Sequence, residues 1–251
     1  MKEVLIETVE SVQVLTLNRP DKRNALNDEL IGALKSALED AASDQSLRAI
    51  VIRGAGTDFC SGADLASLQK IAESSYEENL DDAKQLMDLF IQIRKTPVPV
   101  VAAVHGRALA GGAGLATACD IVLATRSARF GYPEVKIGFV PAMVMAILRR
   151  NVGEKTAFEL STQGFEFSAE RALELGLVNH VYDDNEFDQR VAEYVSIYAK
   201  VSASAVRLTK RLLYKMDGSN FEKAILAGAE TNAEARMTDD CKKGIAKFLE
   251  K

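Results

Sequence analysis

The 251-residue chain has no tryptophan, two histidines and three cysteines. Each scarcity excludes a chemistry. His105 and His180 lie far apart in sequence and cannot form a histidine-rich metal cage without other ligands. Cys60, Cys119 and Cys241 are scattered, which gives no disulfide framework and favours a reducing compartment. Long apolar runs are also absent. The longest, Val98 to Val104 and Ala142 to Leu148, fall far short of the ~18 residues of a membrane span. The first residues, Met1 to Glu7, mix acids with apolar side chains and lack the apolar core of a signal peptide. These absences point to a soluble, cytoplasmic protein with no membrane partner and no metal.

Acidic residues outnumber basic ones 36 to 31, for a net charge of −5. That balance disfavours a nucleic-acid partner, which would require a basic field. With 47% hydrophobic and 27% charged residues the chain is of ordinary globular composition, not disordered. At roughly 150 residues per domain, it forms one large domain or two small ones.

Several common site motifs are missing too. No Gly-x-Gly-x-x-Gly follows a strand, so there is no dinucleotide fingerprint. The glycines of Gly106 to Gly112 lack the Lys-Ser/Thr ending of a phosphate loop. Ser61 is not in a Gly-x-Ser-x-Gly elbow. Cys60 has no base at a meaningful spacing and reads as a small buried hydrophobe.

What is present alternates between strand and helix. Val12 to Leu17 alternates polar and apolar residues, as a half-buried strand does. Asn18 to Asp21 reads as a turn. Asp28 to Ala42 and Leu80 to Lys95 have apolar residues at helical spacing. Ala49 to Gly54, Val100 to Val104 and Asp120 to Ala124 are short apolar runs of buried-strand type. Ser168 caps a helix over 169–175, and 178–182 is the last expected strand. Helices are expected over 186–200, 202–216, 221–237 and 239–250. This order predicts an α/β fold with helices covering a sheet.

Two glycine-bearing loops stand out, Asp58 to Leu65 and Gly106 to Gly114, each after a buried strand and before a helix. Small residues there leave backbone N–H groups accessible, and two converging donors would form an oxyanion hole. Glycine content alone equally suits tight helix–strand packing.

The wider pattern separates these readings. Asn18-Arg19-Pro20 is followed by Asn24-Ala25-Leu26, then by Phe59-Cys60-Ser61-Gly62-Ala63-Asp64-Leu65. Val104-His105-Gly106, Ala110-Gly111-Gly112, Cys119-Asp120 and Phe130 to Gly138 come next, with Ala172 to Val178 and Phe248-Leu249-Glu250-Lys251 closing the series. In that order, from Val4 to the C-terminus, these segments resemble the crotonase, or enoyl-CoA hydratase/isomerase, family. The resemblance implies a crotonase-fold spiral of ββα units over residues 1–195 and a C-terminal helical trimerisation region over 196–251.

It also implies a chemistry. The family binds acyl-CoA thioesters and stabilises an enolate at the thioester carbonyl. By motif, the two oxyanion N–H groups belong to Ala63 and Gly111, and Glu134 is the acid/base residue. Lys22 and Arg23, beside Ala25, fall where the family holds the nucleotide end of CoA, and Ser61 and Ala63 run along the pantetheine. Phe248 and Lys251 match a tail that reaches CoA on a neighbouring subunit. Asp64, Leu65, Gly114, Tyr132 and Met143 are placed among the substrate-binding positions. Asp64 and Asp120 also read as caps or loop anchors, and Tyr132 and Met143 equally as packing residues. Coenzyme A arrives as part of the substrate, with no separate cofactor, and the expected assembly is a homotrimer or a dimer of trimers.

The sequence departs from the family pattern at Gly114, where many hydratases carry a second glutamate, and at the bulky stretch Pro141 to Met145. One carboxylate suffices for a Δ3-Δ2 enoyl-CoA isomerase. However, Phe59 to Leu65, Gly111 to Leu115 and Glu134 to Gly138 are similar to a bacterial branch that hydrates branched acyl-CoAs such as methylglutaconyl-CoA, which also has glycine at this position. A hydratase is therefore expected first and an isomerase second. A non-catalytic acyl-CoA- or RNA-binding homologue comes third, since net charge and the presence of Glu134 weigh against it.

Overall fold

The structure is a computed structural model that describes residues 2–250 and, at Leu65, the backbone only. The chain opens with a hairpin of β1 (Val4–Val9) and β2 (Val12–Leu17), then a 3₁₀ turn (Pro20–Lys22), α1 (Asp28–Ser43) and β3 (Ala49–Gly54). Next come α2 (Leu65–Glu73), α3 (Tyr76–Lys95), β4 (Val100–Val104), β5 (Arg107–Leu109), α4 (Gly111–Ala118) and β6 (Ile121–Thr125). β7 (Arg129–Gly131) leads into a second 3₁₀ helix (Pro133–Ile137), followed by α5 (Ala142–Asn151), α6 (Glu154–Gln163), β8 (Glu166–Ser168), α7 (Ala169–Glu174) and β9 (His180–Tyr182). Four helices finish the chain: α8 (Phe187–Lys200), α9 (Ala203–Lys215), α10 (Phe221–Met237) and α11 (Asp239–Leu249).

The strands form two sheets. The larger runs β1-β2-β3-β4-β6-β9, antiparallel at the first pair and parallel thereafter; the smaller runs β5-β7-β8. The central parallel strands are largely apolar because both of their faces are covered. Ile50, Ile52, Val100, Ala102 and Val104 enter the main core with Leu30, Leu34 and Leu38 of α1 and Leu89, Phe90 and Ile93 of α3. The alternate residues Ala49, Val51, Val101 and Ala103 pack on the opposite side, against Phe187, Val191 and Val195 of α8.

The structure differs from the sequence reading at several boundaries. α3 begins at Tyr76 rather than Leu80, because Ser75 and Glu78 form a reciprocal capping box that starts the helix one turn early. Part of the expected turn after β2 is a 3₁₀ helix, with Pro20 in its first turn. β1 carries no expected periodicity because it lies at the edge, with only Val4 buried. Three-residue strands β5, β7 and β8 are too short to leave a repeating pattern. Among the described residues no helix is long and apolar enough to cross a membrane.

A buried lysine seats α9 on this framework. Lys210 donates to the Ile93 and Val98 carbonyls, both at 3.0 Å, and to Asp120 at 2.6 Å. Asp120 also accepts from the Val100 N–H and the Tyr214 hydroxyl, both at 2.7 Å. Burial pulls the Lys210 ammonium below its usual range, and Asp120 opposes that shift. Replacing Lys210 by methionine would leave the half-buried Asp120 without its cation. The expected loss is ~3 kcal/mol, against ~1 kcal/mol for Tyr214→Phe, as read from the midpoints of chemical denaturation.

Candidate active site

The site begins with a tether. Asn24 is fully buried, and its amide donates to the Ala55 and Asp58 carbonyls, both at 2.8 Å, while its side-chain oxygen accepts from the Arg19 N–H at 2.9 Å. Arg19 in turn pairs with Asp64 at 2.7 Å and Glu3 at 3.0 Å. These bonds hold the segment at Ala25 and Leu26 against the loop before α2. There the Leu26 N–H donates to Gly62 at 2.7 Å, and the Asp64 N–H donates to Leu26 at 2.9 Å.

The same loop meets the chain around β5 on its other side. Cys60 donates to the Arg107 carbonyl and accepts from the Leu109 N–H, each at 3.0 Å. The pairing ends where Gly62 adopts φ +98° and Ala110 adopts φ +49°. For alanine this is a sparsely populated conformation, held by its surroundings. The Ala110 N–H is fixed to the Gly131 carbonyl at 2.9 Å, and a methyl group on Gly62 would stand 2.9 Å from the Ala110 Cβ. Immediately after these two turns come the N–H groups of Ala63 and Gly111. Among the described residues, neither donates to a carbonyl or a side chain. Gly111 opens α4, so its N–H belongs to the first helical turn, which has no internal acceptor. Leu26 and Leu86 flank it, at 3.2 and 3.7 Å from where its Cβ would lie.

Glu134 follows closely on the strand that anchors Ala110. β7 ends at Gly131, the chain turns at Tyr132, and Pro133 starts the 3₁₀ helix in which Glu134 is the second residue. Its side chain is half-buried, and Oε2 is buried with no hydrogen-bond partner. Burial pushes its pKa above the usual carboxylate range, opposed by its own backbone N–H.

The remaining expected residues are distributed as follows. Lys22 and Arg23 are exposed, Ala25 is buried, and Ser61 is half-buried with its N–H on the Arg23 carbonyl at 3.0 Å. Asp64 is buried. It caps α2 through the Ala66 N–H at 2.9 Å and pairs with Arg19, both of which hold it below the ordinary acid range. These contacts are those of the cap and loop anchor also expected for it. Tyr132 is fully buried in the core. Met143, on α5, packs half-buried against the same core. Phe248 is exposed on α11. Lys251 and the Leu65 side chain lie outside the described residues. Burial raises the Cys60 thiol to about 12, in keeping with a packing role.

Gly114 explains the missing second carboxylate. A methyl group there would lie 2.7 Å from Val144 Cγ2 and 3.0 Å from Phe90 Cζ. The space is filled by α3 and α5, so it is closed to a glutamate side chain.

Comparison with known proteins agrees with this geometry. The family model for enoyl-CoA hydratase/isomerase matches residues 7–251. The chain belongs to that family. The Escherichia coli 2,3-dehydroadipyl-CoA hydratase is 33% identical, over 100% of this chain and 97% of its own length. A Thermus thermophilus protein, named provisionally as an enoyl-CoA hydratase, is 44% identical over 96% of this chain and 95% of its own. The crystal structure of an enoyl-CoA hydratase from Mycobacterium smegmatis superposes with a TM-score of 0.95 at 36% identity, covering 99% of this chain and 96% of that one. The α/β architecture described above is thus the crotonase fold.

Introducing the absent carboxylate as Gly114→Glu would force an acid between Val144 and Phe90. It is expected to cost at least ~2 kcal/mol and to give no gain in turnover, as measured by thermal denaturation and a crotonyl-CoA assay.

Proposed function

We propose that this enzyme is an enoyl-CoA hydratase whose acid/base chemistry runs through one carboxylate, Glu134. The observation that carries the reading is the pair of unengaged N–H groups of Ala63 and Gly111, brought together by two turns and joined through Gly131 to the strand that precedes Glu134. The thioester carbonyl accepts both N–H groups. Water adds to C3 as Glu134 takes its proton, and the charge that develops on the carbonyl oxygen is met by the two donors. Glu134 then returns the proton to C2, so the product gains one water and the carboxylate is regenerated. Each fixed donor contributes ~3 kcal/mol to lowering the barrier.

In this reading coenzyme A enters as part of the substrate and no other cofactor takes part. Lys22 and Arg23, beside Ala25, meet its phosphates, Ser61 runs along the pantetheine, and Phe248 and Lys251 reach CoA on a neighbouring subunit. Similarity to hydratases of branched substrates extends the proposal to 3-methylglutaconyl-CoA. The protein works in the cytoplasm as a homotrimer or a dimer of trimers. Support for assembly comes from the large apolar side chains that α9–α11 leave exposed, among them Leu213, Phe221, Leu226 and Leu249.

A second reading, Δ3-Δ2 enoyl-CoA isomerase, is favoured by the closed space at Gly114, since moving a proton between carbons needs only Glu134. Product mass separates the two: a gain of one water on 2-enoyl-CoAs marks the hydratase, and a shifted double bond at constant mass marks the isomerase. Glu134→Gln is expected to lower kcat by roughly 10²–10⁴-fold. Because burial raises its pKa, activity should fall as pH drops through a value above the ~4.3 of a free glutamate. An acid limb at or below that value would contradict the assignment.

A further inference from the structure

Between α3 and α9 lies a cavity of about 630 Å³ that the proposed reaction does not use. Its size falls in the range that takes small-molecule ligands. None of Ala63, Gly111 and Glu134 lines it. α3 stands between the two places: Leu86 and Phe90 meet α4, whereas Ile91, Arg94 and Lys95 border the cavity beside α9.

The charge of its lining is opposite to that of the chain. Arg94, Lys95, Arg207, Lys210, Arg211 and Lys215 border it, and Asp217 is the one acid that does so among the described residues. On a protein of net charge −5 this is a local concentration of positive charge. Asp217 is itself neutralised by two guanidinium groups, Arg94 at 2.7 Å and Arg150 at 3.1 Å.

The cations divide into a wall and a rim. Lys210 is fixed on Asp120, and Arg94 lies over the Tyr214 ring, 4.5 Å from its centroid. Arg207 is held by the Gln45 side chain and the Leu47 carbonyl. Lys95, Arg211 and Lys215 form the exposed rim. Arg211 pairs with Glu234 and Lys215 with Glu230, and all four side chains are more than half exposed. Exposed pairs of this kind are held weakly, and a phosphate offers the same N–H groups stronger, charge-assisted bonds. Ile91, Pro97 and Leu208 give the cavity an apolar side as well. An inorganic anion would leave that side against water, whereas a ligand with both a phosphate chain and a flat ring meets both.

We propose that this cavity is a second binding site, for a nucleoside diphosphate. Its phosphates lie among Lys95, Arg211 and Lys215, and its base lies on Ile91, Pro97 and Leu208. The inference stands apart from the hydratase reading, since no residue of the proposed reaction takes part.

Calorimetric titration of the whole protein with ADP tests it, with the proposed CoA site filled by saturating butyryl-CoA, which has no double bond to hydrate. ADP is expected to bind once per chain. Pyrophosphate should bind about tenfold more weakly, for want of the apolar contact, and adenosine not measurably. Lys95→Glu and Arg211→Ala should each weaken ADP by about tenfold or more, and leave crotonyl-CoA turnover and the number of subunits as in the wild type. Absence of ADP binding, or binding seen only without butyryl-CoA, would overturn the proposal, since the nucleotide would then be using the CoA site. Pyrophosphate held as tightly as ADP would remove the base from the site. Full ADP affinity in both variants would place the nucleotide elsewhere on the protein. A changed number of subunits in either variant would mean that a neighbouring copy closes the cavity, and the proposal would fall. If butyryl-CoA itself does not bind, the hydratase reading fails alone, and the two variants still decide where ADP is held.

Discussion

The centre of this molecule depends on how closely two loops approach before their pairing breaks. Cys60 sits opposite Ala108 in a single β-bridge, with its N–H and its carbonyl both engaged. Any side chain at Gly112 would lie 2.2 Å from that same Cys60 carbonyl. The chains are thus pressed together up to Gly62 on one side and Ala110 on the other, where both backbones turn to positive φ. The next N–H on each side has nothing opposite it. A pair of free donors arises here because a ladder is made to stop, without any titratable side chain. Such donors need no reorganisation as charge develops on a bound carbonyl, which is the condition for strong electrostatic catalysis.

The close packing that makes the donors also limits the acids. α4 is built from small residues so that it can lie against the sheet, and all of it after Gly111 is buried. Phe90 and Val144 press on it at Gly114. A chain packed this way has no room for a carboxylate at this position. Glu134 comes from the start of a 3₁₀ helix, where Pro133 sets the turn and partial burial keeps the carboxyl nearer to neutrality than a surface glutamate. The two departures noted in the sequence, Gly114 and the bulky stretch after Pro141, are therefore one feature: Val144 from that stretch occupies the space that the glycine leaves.

Much of the fold was legible in the residues. Apolar runs marked β3 and β4, and helical spacing marked α1, because those elements bury long, regular faces. The short strands of the second sheet were not legible, since three residues cannot establish a period. The site was less open to reading from residues alone. Glycines at strand ends serve packing and catalysis equally, and only their order with Asn24, Glu134 and the tail separated the two. Asn24 stood in a noted motif, but its work as a tether to Ala55 and Asp58 depends on contacts distant in sequence. Lys210 was invisible for the same reason, because a lysine within Leu208-Thr209-Lys210-Arg211 reads as part of a solvated basic stretch.

Lys210 links the C-terminal helices to the donors. α4 is held at its beginning by Ala110 on Gly131, and just after its end by Asp120 on Val100. Asp120 keeps that position because Lys210 and Tyr214 of α9 engage its two oxygens. Burying the ammonium works against its charge, and the three oxygens around it offset that cost only when α9 sits in one register. The helical end of the chain is thus tied, through Asp120, to the segment that follows α4.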